Sequence, residues 1–388
     1  MSPADIARKW IAREQGPEDG IPSWMLYPLD VTWTERFLGE PPGSYFRDPA
    51  GSEIRKMRRC RTAFMDQMVM APEHQVQSGF GSRLPWQPFE LDGITIDGPE
   101  AVRDHMERIA IPGLESAIAR ADDDNPGLVA AFVADLEDSQ RQLGPDILRV
   151  PYGYIQSKPW LRYGVYGYEW YLMFYALYPE VQAEAFRLEG ILAESQNRAL
   201  AEAAVQRGVP PLVRWDHDMT DSRGALVDVR SLDRIYFPHL ERAARPLIER
   251  GIRIIWHCDG NVSDFVPRLL DIGFSGFQGF QYECGVDYPA LAEMTTRNGE
   301  PLTLIAGGSV TTTLVHGTPE DVHREVDWIV ENSGDAFLAL GATSSICPGT
   351  PHPNITALLE SVQYYQEAGK AGLRQRIGRQ RPFRGPKG

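Results

Sequence analysis

The stretch Gly251-Ile-Arg-Ile-Ile-Trp-His-Cys-Asp-Gly260 carries the strongest fold signal in this chain. Its first part is a short apolar run rich in β-branched residues, which predicts a buried strand, and the run stops at His257, Cys258 and Asp259. In a parallel α/β barrel every strand delivers its last residues to the same face. The stretch therefore predicts both an architecture and the position of a site.

The chain alternates regularly between strands and helices from residue 212 onward. Besides the strand in 251–260, the pattern predicts strands at 212–215, 276–281, 302–308 and 336–341, with helices at 231–249, 263–272, 289–297, 318–330 and from about 354. Five successive βα units imply a parallel sheet, and further strands upstream favour a closed (β/α)8 TIM barrel over an open sheet. We expect the barrel to span 51–370, between an irregular N-terminal cap (1–50) and a basic C-terminal tail (371–388).

The first half of the chain has weaker patterns. Residues 1–50 are rich in proline, glycine and aromatics, which excludes one long helix and predicts an irregular cap with short helices. An apolar stripe predicts a helix over 52–70 that includes Phe64. Short strands punctuated by turns are expected between 76 and 97, and another strand at 146–155 ends in aromatic and small residues.

Composition and charge narrow the class of protein. The net charge of −14 argues against nucleic-acid binding, which needs clustered Lys and Arg. No apolar run approaches the roughly 18 residues of a membrane span, and the N-terminus lacks the apolar core of a signal peptide. The four cysteines follow no disulfide framework. We expect a cytoplasmic protein that acts on a small molecule, with homodimer formation left open.

The end of the 251–260 strand offers potential metal ligands. Successive strand residues point to opposite faces, so His257 and Asp259 share one side while Cys258 faces away. Together with Cys347 from the loop after the last strand, they form a set with an open position, as expected of a catalytic zinc. The alternative is a structural histidine with a free thiol.

Acidic residues at other strand ends are candidate catalytic groups. Asp216 and Asp218 share one strand face, where paired acids can hold a proton or bind a cationic or hydroxylated substrate. Helix capping, or pairing with Arg214 or Arg223, would explain them equally well. Glu283 is a candidate general acid or fourth ligand, unless it is a solvated loop carboxylate.

The remaining candidates bind substrate, because they lie at or near predicted strand ends facing the same mouth. A glycine there lets a ligand approach the backbone, although strand-end glycines often serve only a turn. The predicted substrate-binding residues are Tyr152, Tyr154, His217, Tyr282 and Gly308.

Several spaced motifs occur together in one order. They are Asp216-His-Asp-Met-Thr-Asp-Ser-Arg-Gly224, His257-Cys-Asp-Gly-Asn261, Gly307-Gly308, Gly317-Thr-Pro-Glu-Asp321 and Cys347-Pro-Gly-Thr-Pro-His-Pro-Asn354. This set resembles the uroporphyrinogen decarboxylase superfamily, most closely its cobalamin-dependent methyltransferase branch. The resemblance implies a (β/α)8 barrel and zinc bound at His257, Asp259 and Cys347. Where thiol-activating members carry Cys this chain has Asp259, which makes a harder site suited to oxygen.

The resemblance also suggests a reaction. The decarboxylases proper carry a segment of the type Met-Arg-Gln-Ala-Gly-Arg, whereas the basic segment 55–61 here is spaced differently. We therefore expect a methyltransferase that demethylates a small O-methyl or N-methyl substrate, with Asp218 or Glu283 supplying a proton. This chain has no corrinoid-binding motif of the Asp-x-His-x-x-Gly kind, so the corrinoid is expected on a partner protein. The alternatives are a corrinoid-independent decarboxylase or lyase, and a non-catalytic binding barrel.

Overall fold

The computed structural model describes residues 1–24, 26, 28–68 and 87–376. The strands are β1 (Phe64–Met65), β2 (Phe89–Leu91), β3 (Ile94–Ile96), β4 (Leu148–Arg149), β5 (Leu212–Asp216), β6 (Thr220–Asp221), β7 (Gly224–Ala225), β8 (Arg253–His257), β9 (Gly276–Gln278), β10 (Thr303–Gly308) and β11 (Phe337–Ala342). The α-helices are Pro3–Ala12, Val31–Leu38, Pro49–Arg59, Pro99–His105, Ile111–Ala119, Ala121–Leu143, Tyr163–Tyr166, Tyr168–Leu177, Pro179–Gln206, Val229–Ile235, Phe237–Glu249, Val266–Ile272, Tyr288–Glu293, Thr313–His316, Pro319–Glu331, His352–Ala368 and Leu373–Arg376. Single 3₁₀ turns cover Tyr45–Arg47, Tyr282–Cys284 and Lys370–Gly372, and a π turn covers Met106–Ala110.

The second half of the chain forms a parallel five-stranded sheet in the order β11-β10-β9-β8-β5. The register aligns the strand ends, because Asp216 pairs with His257 and His257 pairs with Gln278. Helices separate successive strands, as right-handed parallel connections require. The prediction of five consecutive βα units is confirmed.

The N-terminal segment continues the barrel wall beyond β11. The Trp24 N–H donates to Leu340 O at 2.8 Å, and the Ser23 carbonyl accepts from the Ala63 N–H at 3.0 Å. β1 then pairs in parallel with β4. Residues assigned to the cap on sequence grounds thus supply a wall position. The strand there is too short to show a period-2 pattern, which is why the sequence did not reveal it.

Side chains join the wall between β4 and β5, where the described residues form no strand ladder. The Trp215 indole N–H donates to Ile155 O at 2.9 Å, and the Tyr152 hydroxyl donates to Asp216 Oδ2 at 2.9 Å. The eight wall segments and the helices around them form the predicted (β/α)8 barrel.

The N-terminal part of the barrel lumen is apolar and is covered by the first helix. Pro3–Ala12 is capped by Ser2 and carries Trp10, whose ring stacks on Phe64 with centroids 4.9 Å apart. The lumen side chains include Phe64, Leu148, Leu212, Ile255, Ile305 and Ala339. This packing covers the N-terminal end of the lumen, while the strand C-termini carry the acids and the histidine singled out from the sequence.

The predicted helix over 52–70 is wrong in its position. The helix is Pro49–Arg59, and the Asp48 side chain caps its N-terminus by accepting from the Gly51 N–H at 3.0 Å. Arg61 then adopts a left-handed conformation with φ of 57°, which ends the helical path. Phe64 belongs to β1. A short strand buried on both faces has the same apolar content as a helical stripe, so the sequence pattern alone did not distinguish the two.

Other local predictions fare differently. The 76–97 region does contain a hairpin, β2–β3, but its predicted strand at 77–82 lies outside the described residues, as does the tail from 377 onward. Thr318 opens Pro319–Glu331 with a capping box closed by Asp321. None of the helices in the described ranges combines the length and the apolar character that crossing a membrane demands.

Candidate active site

Acidic side chains surround one histidine at the C-terminal ends of β5 and β8. His257 Nε2 lies 3.8 Å from Asp216 Oδ1, 3.8 Å from Asp218 Oδ1 and 3.7 Å from Asp259 Oδ1. Within the described ranges, Asp216, Asp218 and His257 form the group of potential ligands whose atoms lie within 4.8 Å of one another. Alternate residues of two paired strands face the lumen, and this alternation brings the four side chains together.

The ring of His257 is oriented by the neighbouring strand. Its Nδ1 lies 2.6 Å from Gln278 Oε1, and both side chains are buried. An amide oxygen only accepts hydrogen bonds, so in the neutral ring Nδ1 carries the hydrogen and Nε2 presents its lone pair to the acids. Gly279 has a φ of +81°, and a Cβ there would lie 2.3 Å from Nδ1. Glycine at 279 therefore leaves the space that the ring of His257 occupies.

Asp216 is held as an acceptor by two donors, the buried Arg214 and the partly buried Tyr152. Its Oδ2 accepts from the Tyr152 hydroxyl at 2.9 Å and from Arg214 at 3.2 Å. Burial alone would raise the pKa of Asp216, but attraction to His257 and Arg214 and the hydrogen bond from Tyr152 lower it to about 2. Arg214 also donates to Asp66 at 2.6 Å, so the acid at 216 is fixed from the lumen side.

Asp218 and Asp259 are linked to each other through the backbone. The Asp259 N–H donates to Asp218 Oδ1 at 2.9 Å, and Ser344 donates to Asp259 Oδ2 at 2.9 Å. Asp259 Oδ1 is buried without a hydrogen-bond partner. Burial, with the nearby charges of Asp218 and Asp216, raises the pKa of Asp259.

This arrangement fits a divalent metal ion. Ligand atoms around an ion with bonds of about 2.1 Å are separated by roughly 3 to 4 Å, close to the spacings between His257 Nε2 and the three acids. An ion would satisfy the orphaned Oδ1 of Asp259 and use the exposed lone pair of the ring. Three carboxylates and one imidazole form a harder donor set than a thiolate site.

The two cysteines near this cluster are placed differently. Cys258 is buried and faces away, where its Sγ accepts from the Met219 N–H at 3.2 Å, and burial raises the pKa of its thiol to about 12. Cys347 is exposed and lies outside the group formed by Asp216, Asp218 and His257. Asp259 lies 3.7 Å from His257 Nε2, and the other potential ligands grouped with His257 are Asp216 and Asp218 instead of Cys347.

Among the predicted substrate-binding residues, Tyr152 reaches the cluster through Asp216. Tyr154 is 39% exposed and contacts Phe132 rather than the acids. His217 is buried on the outer face of β5, and its two ring nitrogens bond to the Leu161 N–H and to the Tyr236 hydroxyl. Both nitrogens are therefore engaged within the protein.

Tyr282 and Gly308 lie between the wall and the surrounding helices. The buried Tyr282 hydroxyl donates to Glu325 Oε1 at 2.7 Å and also contacts Gly307 O at 3.2 Å. A Cβ at Gly308 would lie 3.4 Å from Glu325 Oε2 and 3.3 Å from Leu358. Tyr282 and Gly308 therefore contact Glu325 on the helix side of the barrel wall.

Glu283, the third predicted catalytic acid, lies in the turn after β9 and is anchored by hydroxyl groups. Its Oε1 accepts from Ser309 at 2.8 Å, from Thr311 at 3.0 Å and from Thr343 at 3.3 Å. Its Oε2 is buried and has no hydrogen-bond partner. The structure thus brings the turn after β9 and the loops after β10 and β11 together around this carboxylate.

Glu325 is a buried acid directly behind that turn. Besides Tyr282, it accepts from the Thr313 hydroxyl at 2.8 Å and from the Ser309 N–H at 3.2 Å. Burial raises the pKa of Glu325 to about 7, although these hydrogen bonds favour the charged form. Over a range of pH, Glu325 therefore retains its proton in the folded protein, whereas a glutamate in the unfolded chain has already lost it.

This difference predicts a pH-dependent effect of Glu325→Gln. An unfolded glutamate titrates near pH 4.3, so folding binds a proton between about pH 4.3 and 7, and the contribution of Glu325 to stability falls as pH rises through this window. The neutral amide does not titrate. Its stability advantage over wild type should grow by about 3 kcal/mol from pH 4.5 to pH 8, as measured by urea unfolding. A constant difference across this range would contradict the raised pKa.

Several residues of the site escaped prediction. Gln278, Ser344 and Asp66 orient His257, Asp259 and Arg214 respectively, yet no motif distinguishes them. Arg214 could be anticipated, because it precedes Asp216 by two residues and so shares its strand face. Arg223 pairs with Asp221 instead.

Fold and site together define a (β/α)8-barrel enzyme with an acid-rich centre at the strand C-termini. The family model of uroporphyrinogen decarboxylase (URO-D) matches residues 174–365, which include β5 and β8 to β11. Residues 174–365 are therefore assigned to the uroporphyrinogen decarboxylase family. The chain's resemblance to this superfamily, noted from the spaced motifs, is confirmed.

One solved structure of similar fold is a methyltransferase from Methanosarcina mazei. The two are 15% identical, and the alignment covers 94% of this chain and 98% of that one with a TM-score of 0.53. At this identity the likeness establishes the shared fold and nothing about substrate. No curated protein sequence matches the chain.

Proposed function

We propose that this protein is a metal-dependent methyltransferase that demethylates a small O-methyl or N-methyl compound and passes the methyl group to a corrinoid carried by a partner protein. The observation that carries the proposal is the cluster of His257 with three carboxylates, one of them with a buried, unpartnered oxygen. The family match over residues 174–365 and the fold of the Methanosarcina mazei methyltransferase support it.

In this proposal a zinc-type ion is held by His257 Nε2, Asp216 and Asp218, and Asp259 lies beside His257 as a further acid. Such an ion supplies Lewis acidity, which stabilises negative charge on a departing oxygen or nitrogen. The residues around it have separate tasks. Gln278 sets the tautomer of His257, and Tyr152 orients Asp216.

The mouth admits a small substrate. The side chains of Asp216, Asp218 and Asp259 are 28%, 42% and 38% exposed, so a molecule entering at the strand ends can reach them. Pro3–Ala12 covers the opposite end of the lumen, which favours this face as the entrance. Glu283, at the rim of the same mouth, is placed to contact a bound substrate and to exchange a proton with it.

The alternative is a corrinoid-independent decarboxylase or lyase, which the URO-D match favours. A carboxylated substrate would need cationic partners at the mouth. Among the described residues, Arg214 is the cation bonded to the cluster, and its guanidinium already bridges Asp66 and Asp216. The excess of acids therefore favours the methyltransferase proposal.

The test is methyl transfer to reduced cobalamin, followed by formation of methylcobalamin in its absorption spectrum. Zinc-loaded wild type is expected to form it from a methoxyarene or a methylated amine, whereas His257→Ala should not. Cys258→Ser is the matched control, because this thiol faces away from the cluster and its loss should leave turnover intact. Carbon dioxide release from a carboxylated substrate, without any methyl transfer, would favour the lyase instead.

A further inference from the structure

The two carboxylate oxygens of Glu283 differ in their hydrogen bonding. Three hydroxyl groups, from Ser309, Thr311 and Thr343, converge on Oε1 and hold the carboxylate in one orientation. Oε2 receives no hydrogen bond although it is buried. A buried acceptor left without a donor destabilises the protein, so a ligand that donates a hydrogen bond there gains affinity.

The loop after β11 contacts both the Glu283 carboxylate and the proposed metal centre. Thr343 bonds to Glu283, and the next residue, Ser344, bonds to Asp259. Consecutive Cα atoms are about 3.8 Å apart, so the two carboxylates are held by neighbouring residues of one loop. Glu283 is nevertheless outside the group of potential ligands around His257. A substrate that spans this loop would contact both.

The charge of the mouth determines which group Oε2 can accept. A carboxylate accepts hydrogen bonds and attracts cations, and the neighbouring Cys284 experiences the negative charges of both Glu283 and Asp259. A substrate carboxylate would be repelled at this position. A hydroxyl or an ammonium group would be bound.

We infer that Glu283 recognises a hydrogen-bond donor, a hydroxyl or a protonated amine, that the substrate carries close to its methylated heteroatom. The inference rests on the proposed function and narrows its substrate class to hydroxylated or amino-substituted methyl donors. Ethers with no donor group bind without this contact.

The variant Glu283→Gln tests this assignment. Its amide oxygen can accept from the same three hydroxyls, which leaves the N–H₂ group in the place of Oε2. A donor would then meet a donor. We expect 2-methoxyphenol and 2-methoxybenzylamine, as the hydroxyl and ammonium probes, to bind at least about tenfold more weakly. Binding of 1,2-dimethoxybenzene should change less than about twofold.

Controls separate recognition from folding and from turnover. Glu202→Gln, a surface carboxylate paired with Arg250, should change none of the three affinities. If thermal unfolding shows that Glu283→Gln is unstable, Thr311→Val replaces it, because it removes one of the three anchors from an exposed position. That variant should weaken both donor probes by a few-fold.

Binding is measured by calorimetry on zinc-loaded and metal-free protein, without turnover, so the result is independent of methyl transfer. Selective loss of the phenol supports a hydroxyl donor, and selective loss of the amine supports an ammonium donor. Equal weakening of the dimethoxy probe overturns the inference. So does a wild type that binds neither donor probe saturably. A protein that binds these probes selectively but transfers no methyl group would contradict the proposed function alone.

Discussion

Purified protein should contain about one divalent ion per chain, and His257→Ala should lose it while Cys347→Ala retains it. The expectation for Cys347 follows from the structure, which leaves this exposed thiol outside the group around His257. Removing the imidazole eliminates the ligand to which three carboxylates are directed, and the remaining acids repel one another. Elemental mass spectrometry on dialysed protein measures the content directly.

Two further variants complete this measurement of metal content. His316→Ala removes an exposed histidine that lies outside the group around His257, and it should keep the ion, which excludes adventitious binding to histidine. Asp259→Asn replaces the acid that has a buried, unpartnered oxygen and should weaken binding strongly. Equal loss of metal in Cys347→Ala and His257→Ala would instead restore the ligand set inferred from the sequence.

The largest loss of stability is expected for Arg214→Met. The guanidinium and its partner Asp66 are each 3% exposed, and their atoms are 2.6 Å apart. Without Arg214 the Asp66 carboxylate is left buried without its counter-charge, which costs about 3 to 5 kcal/mol. Asp216 loses one of its two lumen donors at the same time. Urea unfolding at pH 7 measures the change.

Comparison with other variants attributes that loss to the uncompensated charge. Arg250→Met removes a surface partner of Glu202 and should cost no more than about 1 kcal/mol. The double variant Asp66→Leu/Arg214→Met removes both buried charges and should recover most of the stability. A double variant that is no more stable than Arg214→Met would mean that packing, rather than charge, produced the loss.

In our proposal, the negative charge of the site explains a preference for methylated substrates that carry a hydrogen-bond donor. Four carboxylates face one mouth, and the guanidinium nearest to them is already engaged. A divalent ion would neutralise only part of this charge. In the proposed function the remaining negative potential would select against carboxylated substrates, and Glu283 would accept a hydrogen bond from the substrate.

Period-2 alternation in the sequence is sufficient to identify the residues at the centre of the site. His257 and Asp259 share a face of the strand end, as do Asp216 and Asp218, and Cys258 points away. The same regularity predicts that these residues meet, because parallel barrel strands end on one face. Local geometry suffices for the face that each pair shares, since its members are two positions apart, and the parallel architecture supplies the rest.

The sequence did not reveal that Cys347 lies outside the group around His257. Its position in a loop after β11 depends on turn geometry that residue type does not encode. The support of the site was also invisible, because Gln278, Ser344 and Asp66 are ordinary polar residues until strand register brings them within 3 Å of their partners. Register between distant segments is a property of packing.

The amino-acid pattern by itself therefore specified a parallel α/β barrel, the face on which its site lies, and the acids and histidine that occupy it. These conclusions rest on hydrophobic periodicity, which acts over a few residues. Only the tertiary structure decided that Ser23 and Trp24 complete the wall, that Asp216 and Asp218 rather than Cys347 join His257, and that Glu283 keeps one oxygen free. Each of these depends on contacts between segments far apart in the chain, and such contacts form only when the whole barrel closes.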